Sequence, residues 1–140
     1  MEIVRAHPAL TTIEREFMKQ HPFVYVEIPV NDMQRAMQFY SVVFDITFTT
    51  STIDNIEMAL FPFEESASGI TGALAKGDIY KPTIDGVLIY LHADDIDLTL
   101  KRVIEQGENI LYPKTDNGIG FVAEFKDCEG NRIALFEKYR

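Results

Sequence analysis

The amino-acid sequence predicts an α+β fold, one domain made of two βαβββ modules. Three observations carry that expectation. The stretch Phe23–Tyr40 (FVYVEIPVNDMQRAMQFY) is written again at Gly86–Val103 (GVLIYLHADDIDLTLKRV), so that Tyr25 falls on Leu88 and Asp32 on Asp95, 63 positions later in both cases. Each copy alternates at period two and then switches to helical spacing. The strand-like runs that close each half repeat as well, with Ala73 falling on Ala134 and Leu74 on Leu135, 61 positions on. An internal repeat implies two similar half-domains and a pseudo-symmetric site between them.

Residues 1–21 precede the first copy and form an N-terminal arm. Thr11 and Glu14 make a capping box, and Leu10, Ile13 and Phe17 then give a short amphipathic helix that ends at His21-Pro22. In the first strand Val24, Val26, Ile28 and Val30 share a purely aliphatic face, which should carry the helix. Tyr25, Glu27 and Pro29 share the other. Asn31 or Asp32 caps the helix, along which Met33, Ala36, Met37, Tyr40 and Phe44 recur at helical spacing. Strands are expected next at Asp45–Thr50, Ile56–Phe61 and Ile70–Lys76, with a polar, mobile loop at Glu64–Gly69. Gly77–Asp85 links the modules, which span 22–76 and 86–138 of a domain covering 22–140.

The second half follows the same order. Val87, Ile89, Leu91 and Ala93 form the apolar face, and Leu88, Tyr90 and His92 the other. Asp94 or Asp95 caps a helix with Ile96, Leu100 and Val103 on one stripe, and Gly107 closes it. Strands follow at Asn109–Tyr112, Ile119–Lys126 and Arg132–Glu137, with turns at Asp116–Gly118 and Asp127–Asn131.

The chain has 140 residues, 46% hydrophobic and 25% charged, with a net charge of −9. No basic stripe is visible, which argues against a nucleic-acid partner and against anionic membrane surfaces. One cysteine permits no intrachain disulfide. The first residues lack a signal-peptide core, and no apolar run approaches the ~18 residues of a membrane helix. A cytoplasmic protein is the expectation.

Two βαβββ halves, the run DMQRAMQFY at 32–40 and the closing DCEGNRI at 127–133 resemble the vicinal oxygen chelate superfamily over about residues 22–138. That group includes glyoxalase I, extradiol dioxygenases, fosfomycin-resistance proteins and bleomycin-binding proteins. Within it, this sequence looks most like small proteins related to lactoylglutathione lyase. The resemblance implies a cup-shaped, eight-stranded mixed sheet and a homodimer. It also implies a divalent metal held by His, Glu or Gln at positions matching Tyr25, Ala73, Leu88 and Ala134 of this chain. None of the four is a usual ligand, so the expectation is no metal and no other cofactor.

Both repeats turn an aromatic and polar face away from their helices, which suits a lined cavity. One cavity is expected, lined by Tyr25, Glu27, Leu88, Tyr90, His92, Ala134 and Phe136, with the alanines leaving room for a ligand. Glu27 and His92 are the candidate acid–base pair, His92 because its ordinary pKa suits proton transfer. The tyrosines could equally be plain cavity filling, Glu27 a paired rim carboxylate and His92 a solvated strand end. Glu57 and Arg132 are set aside because their strand registers are open. Cys128 lies between Asp127 and Glu129, which disfavour a thiolate. The leading expectation is a protein that binds a small organic molecule, with a metal-independent isomerase or lyase as its enzymatic form. A metal-dependent lyase or dioxygenase with displaced ligands, and a structural or regulatory dimer with a filled cavity, are the alternatives.

Overall fold

The computed structural model describes residues 9–64 and 69–140. The first eight residues of the arm, and most of the polar loop expected at Glu64–Gly69, therefore lie outside the described residues. The elements run α1 (Thr12–Gln20), β1 (Tyr25–Pro29), α2 (Met33–Phe44), β2 (Thr49–Ile53), β3 (Ile56–Leu60), β4 (Thr71–Lys76), β5 (Ile89–His92), α3 (Ile96–Glu105), β6 (Ile110–Asp116), β7 (Phe121–Lys126) and β8 (Arg132–Glu137).

The strands hydrogen-bond as two four-stranded sheets, ordered β1-β4-β3-β2 and β5-β8-β7-β6. In each, the first and last strands of the module pair in parallel and the other pairs are antiparallel. The expected eight strands are all present, divided into two sheets that do not close into a barrel.

The helices begin and end where side-chain chemistry dictates. Asp32 Oδ1 accepts from the Arg35 amide at 3.1 Å, and Asp95 Oδ1 from the Leu98 amide at 3.2 Å. These are N-cap bonds at matching positions of the two modules. Beyond α3, Gly107 takes φ +87°, a left-handed conformation that favours glycine, and the Glu108 amide returns to the Val103 carbonyl at 3.1 Å.

α2 and α3 pack on each other and on the inner faces of the sheets. One continuous core joins Ile28, Leu74, Tyr40 and Val43 of the first module to Ile96, Phe125, Ile133 and Leu135 of the second. Because both inner faces share that core, both outer faces turn away from it.

A buried polar clasp crosses the same boundary. Asp127 Oδ2 accepts from the Tyr40 hydroxyl at 2.6 Å and from Asn131 Nδ2 at 3.0 Å. Its Oδ1 accepts from the Glu129 and Asn131 amides, both at 2.9 Å. Glu129, whose side chain is fully buried, reaches the start of α2: its carboxylate accepts from the Asn31 and Asp32 amides at 2.5 and 2.6 Å and pairs with Arg35. Burial and the two flanking carboxylates push the Cys128 thiol up to about 12, so it is not a thiolate nucleophile at neutral pH.

Several elements depart from expectation for local reasons. The residues expected to start β2 instead close α2: Asp45 takes φ +53°, and the Ile46 amide bonds the Ser41 carbonyl. β2 then turns directly into β3 through Asp54 and Asn55, both at positive φ, a two-residue hairpin. β6 runs through Pro113, which its edge position and register shifts permit. β7 starts at Phe121 because Asn117 Oδ1 accepts the Ile119 and Gly120 amides and holds a turn there. The valines meant to head both aliphatic faces stay outside the core, Val24 83% and Val87 89% exposed.

Candidate functional site

The first module's outer face centres on Glu27. Strand alternation puts it beside Tyr25, whose hydroxyl donates to Glu27 Oε2 at 3.3 Å. A second phenol arrives from the linker: Tyr80 donates to Glu27 Oε1 at 2.7 Å. A tight turn, with the Tyr80 amide on the Gly77 carbonyl at 3.1 Å, sets Tyr80 there. Burial first, and then the Glu27 charge, push the Tyr25 phenol up to about 12. The hydrogen bond to Glu27 also raises Tyr80. Both phenols are therefore neutral donors at physiological pH. Glu27 itself is half-buried and makes no ion pair among the described residues. It lines a crevice of about 210 Å³ between the modules, walled by Ile28, Val87, Ile89 and Ile133, with Arg132 at its side.

The second module's outer face carries Tyr90, His92 and Phe136. These border a mainly apolar depression of about 410 Å³ together with Ile119 and Val122. The parallel register sets Tyr90 opposite Ala134 and His92 opposite Phe136. Gly120 makes room for Phe136, since a Cβ there would sit 2.6 Å from the phenyl ring. His92 Nε2 meets Asp94 Oδ1 at 2.8 Å, and the His92 side chain is 60% exposed.

The expected single cavity is thus two separate places within one chain. Tyr25 and Glu27 belong to one, and Tyr90, His92 and Phe136 to the other. Leu88 is half-buried and borders neither. Ala73 and Ala134 are fully buried, so the space expected above them is closed to solvent. Glu27 and His92 do not converge on one point. Of the residues set aside earlier, Arg132 does reach the crevice, where its Nε pairs with Glu124 Oε1 at 2.5 Å. Glu57 is exposed and pairs with Lys76 at 3.5 Å. Tyr80 carried no signal in the sequence, because an aromatic in a linker shows no periodicity.

A family model described as the Glyoxalase/Bleomycin resistance protein/Dioxygenase superfamily matches residues 23–135. No curated protein matches the chain in sequence. Solved structures share the fold. TnmS3, an antibiotic binding protein from Streptomyces sp. CB03234, has a TM-score of 0.61 at 22% identity, over 84% of this chain and 96% of its own. The trypanothione-dependent glyoxalase I of Leishmania major has 0.64 at 17%, over 81% and 84%. A glyoxylase/bleomycin resistance protein/dioxygenase domain from Frankia sp. EAN1pec has 0.64 at 14%, over 82% and 95%.

The side chains at the positions where the resemblance implies metal ligands do not fit a divalent ion. Ala73, Leu88 and Ala134 offer no donor atom, which leaves Tyr25 alone, and its proton is held to about pH 12. Among the described residues, no group of three or more His, Cys, Asp or Glu side chains is placed to hold a metal. No helix among them is long and apolar enough to cross a membrane.

Proposed function

The chain belongs to the Glyoxalase/Bleomycin resistance protein/Dioxygenase superfamily, and on that premise we propose that it binds a small organic molecule without a metal. The observation that carries this reading is the chemistry of the outer faces. Where the superfamily's metal ligands would stand are two buried alanines and a leucine, while the neighbouring strand positions offer polar and aromatic groups suited to an organic ligand. The description of TnmS3 as an antibiotic binding protein supports a binding role for this fold.

The proposal includes a homodimer. Val24 and Val87 stand at matching positions 63 residues apart, both largely exposed, beside β1 and β5. Those strands are edges of the two sheets, and exposed edges with apolar residues favour pairing with another chain. Setting β1 of one copy along β5 of the other joins the two outer faces into a continuous eight-stranded cup. Tyr25 and Glu27 of one copy then face Tyr90, His92 and Phe136 of the other. An isomerase or lyase with Glu27 and His92 as base and acid requires that same junction.

Elemental analysis tests the metal-free reading. Purified protein is expected to hold far less than one equivalent of zinc, nickel, iron or manganese per chain. Ligands found by thermal-shift screening should raise the melting temperature equally with and without chelator. One equivalent of metal, lost on Tyr25→Phe, would overturn the proposal.

A further inference from the structure

Among the described residues, Glu27 is the only acidic side chain lining the crevice between the modules. An ionised carboxylate offers about four acceptor sites, and the Tyr25 and Tyr80 hydroxyls occupy one on each oxygen. About two remain open. Buried charges are normally paired, yet no Lys, Arg or His among the described residues pairs with the half-buried Glu27. Arg132 borders the same crevice, but its charge is already matched by Glu124 at 2.5 Å. The other walls are mainly aliphatic, Ile28, Val87, Ile89 and Ile133, with Thr83 and Asn131 as polar lining; the Asn131 side chain is already bonded to the Thr83 amide and the Pro29 carbonyl.

We propose that this crevice binds a small organic ammonium ion, with the charged nitrogen on Glu27 and an aliphatic body against Ile89 and Val87. This rests on the metal-free binding reading and names the ligand class for the Glu27 end of that site. An ammonium brings three donors and no acceptor, the complement of a carboxylate whose remaining sites all accept. The phenols orient that carboxylate, since each donates to one of its oxygens. The net charge of −9 attracts a cation toward the molecule. Size limits the body. A water occupies about 30 Å³, so about 210 Å³ holds roughly seven atoms of comparable bulk, the size of cyclohexylammonium.

The test compares cyclohexylammonium with its neutral analogue cyclohexanol, titrated into the full chain and read by amide shifts in heteronuclear NMR. Cyclohexylammonium should bind about tenfold more tightly or better, because a charge-assisted hydrogen bond is roughly twice as strong as a neutral one. Glu27→Gln keeps the shape of the side chain and should bring the two affinities to within about twofold, leaving cyclohexanol unchanged. If Glu27→Gln fails to fold, the parent decides the matter: the ammonium preference should shrink as salt rises from about 0.02 to about 0.5 M. Equal binding of the two probes, or binding of cyclohexanol alone, overturns the ammonium assignment and leaves the small-molecule reading standing. A preference that survives Glu27→Gln, or is indifferent to salt, removes Glu27 as its cause. Binding of neither probe overturns the ammonium assignment, and the thermal-shift screen then decides the small-molecule reading separately.

Discussion

Tyr40 shows how much one hydroxyl can hold. It is fully buried, and the only polar contact of its hydroxyl among the described residues is the Asp127 carboxylate at 2.6 Å. Tyr40→Phe removes one of the four donors on that carboxylate and is expected to cost ~1–3 kcal/mol in urea unfolding. Its pH dependence has a definite sign. Burial, followed by the Asp127 charge, holds the folded phenol well above its ordinary value of 10.0. Below pH ~10 both folded and unfolded chains keep the proton, so the contribution is fully present. Above it the unfolded chain gives up a proton that the fold retains, and stability falls as pH rises. Denaturant midpoints measured from pH 8 to about 11 should therefore drop less steeply in Tyr40→Phe than in the parent. The sequence placed Tyr40 on the buried stripe of its helix because periodicity reports burial. It could not show the carboxylate 87 positions away that Tyr40 bonds. The same limit applies to Glu27: alternation put it beside Tyr25, whereas its second phenol, Tyr80, comes from a linker without periodic structure.

At the level of elements, strand and helix existence was legible throughout, and so were the N-caps, since Asp32 and Asp95 recur in both repeats. Boundaries failed where a residue had a competing task. Asp45 and Ile46 close α2 rather than open β2, and Val24 and Val87 lie just outside the ladders that would have buried them. Least legible was the capping of one module's helix by the other module's turn. Glu129 supplies acceptors for the Asn31 and Asp32 amides and for Arg35. Glu129→Ala should lower the urea midpoint by an amount equivalent to ~1.5–3 kcal/mol, the range for hydrogen bonds to a charged group. Asp32→Ala should cost less, about 1 kcal/mol as for a typical N-cap. An Asp32→Ala variant less stable than Glu129→Ala would show that the clasp between modules matters less than the local cap.

For the whole molecule, the division of the predicted cavity between two outer faces makes assembly the central question. Light scattering at micromolar concentration should give a dimer mass, and the double substitution Val24→Lys, Val87→Lys should give a monomer with an unchanged far-ultraviolet circular dichroism spectrum. Charge is a standard way of blunting a strand edge. A parent that scatters as a monomer would refute the dimer and leave the two faces as separate sites. The clasp also bears on the order in which the chain can mature. Its bonds join residues 97 and 98 positions apart, so the start of α2, made early in synthesis, meets its acceptor only when nearly the whole polypeptide is available. Contacts of such long sequence separation slow folding. A nascent chain stopped near residue 120 should therefore leave α2 open to protease, with resistance appearing only once the DCEGN turn at 127–131 has emerged.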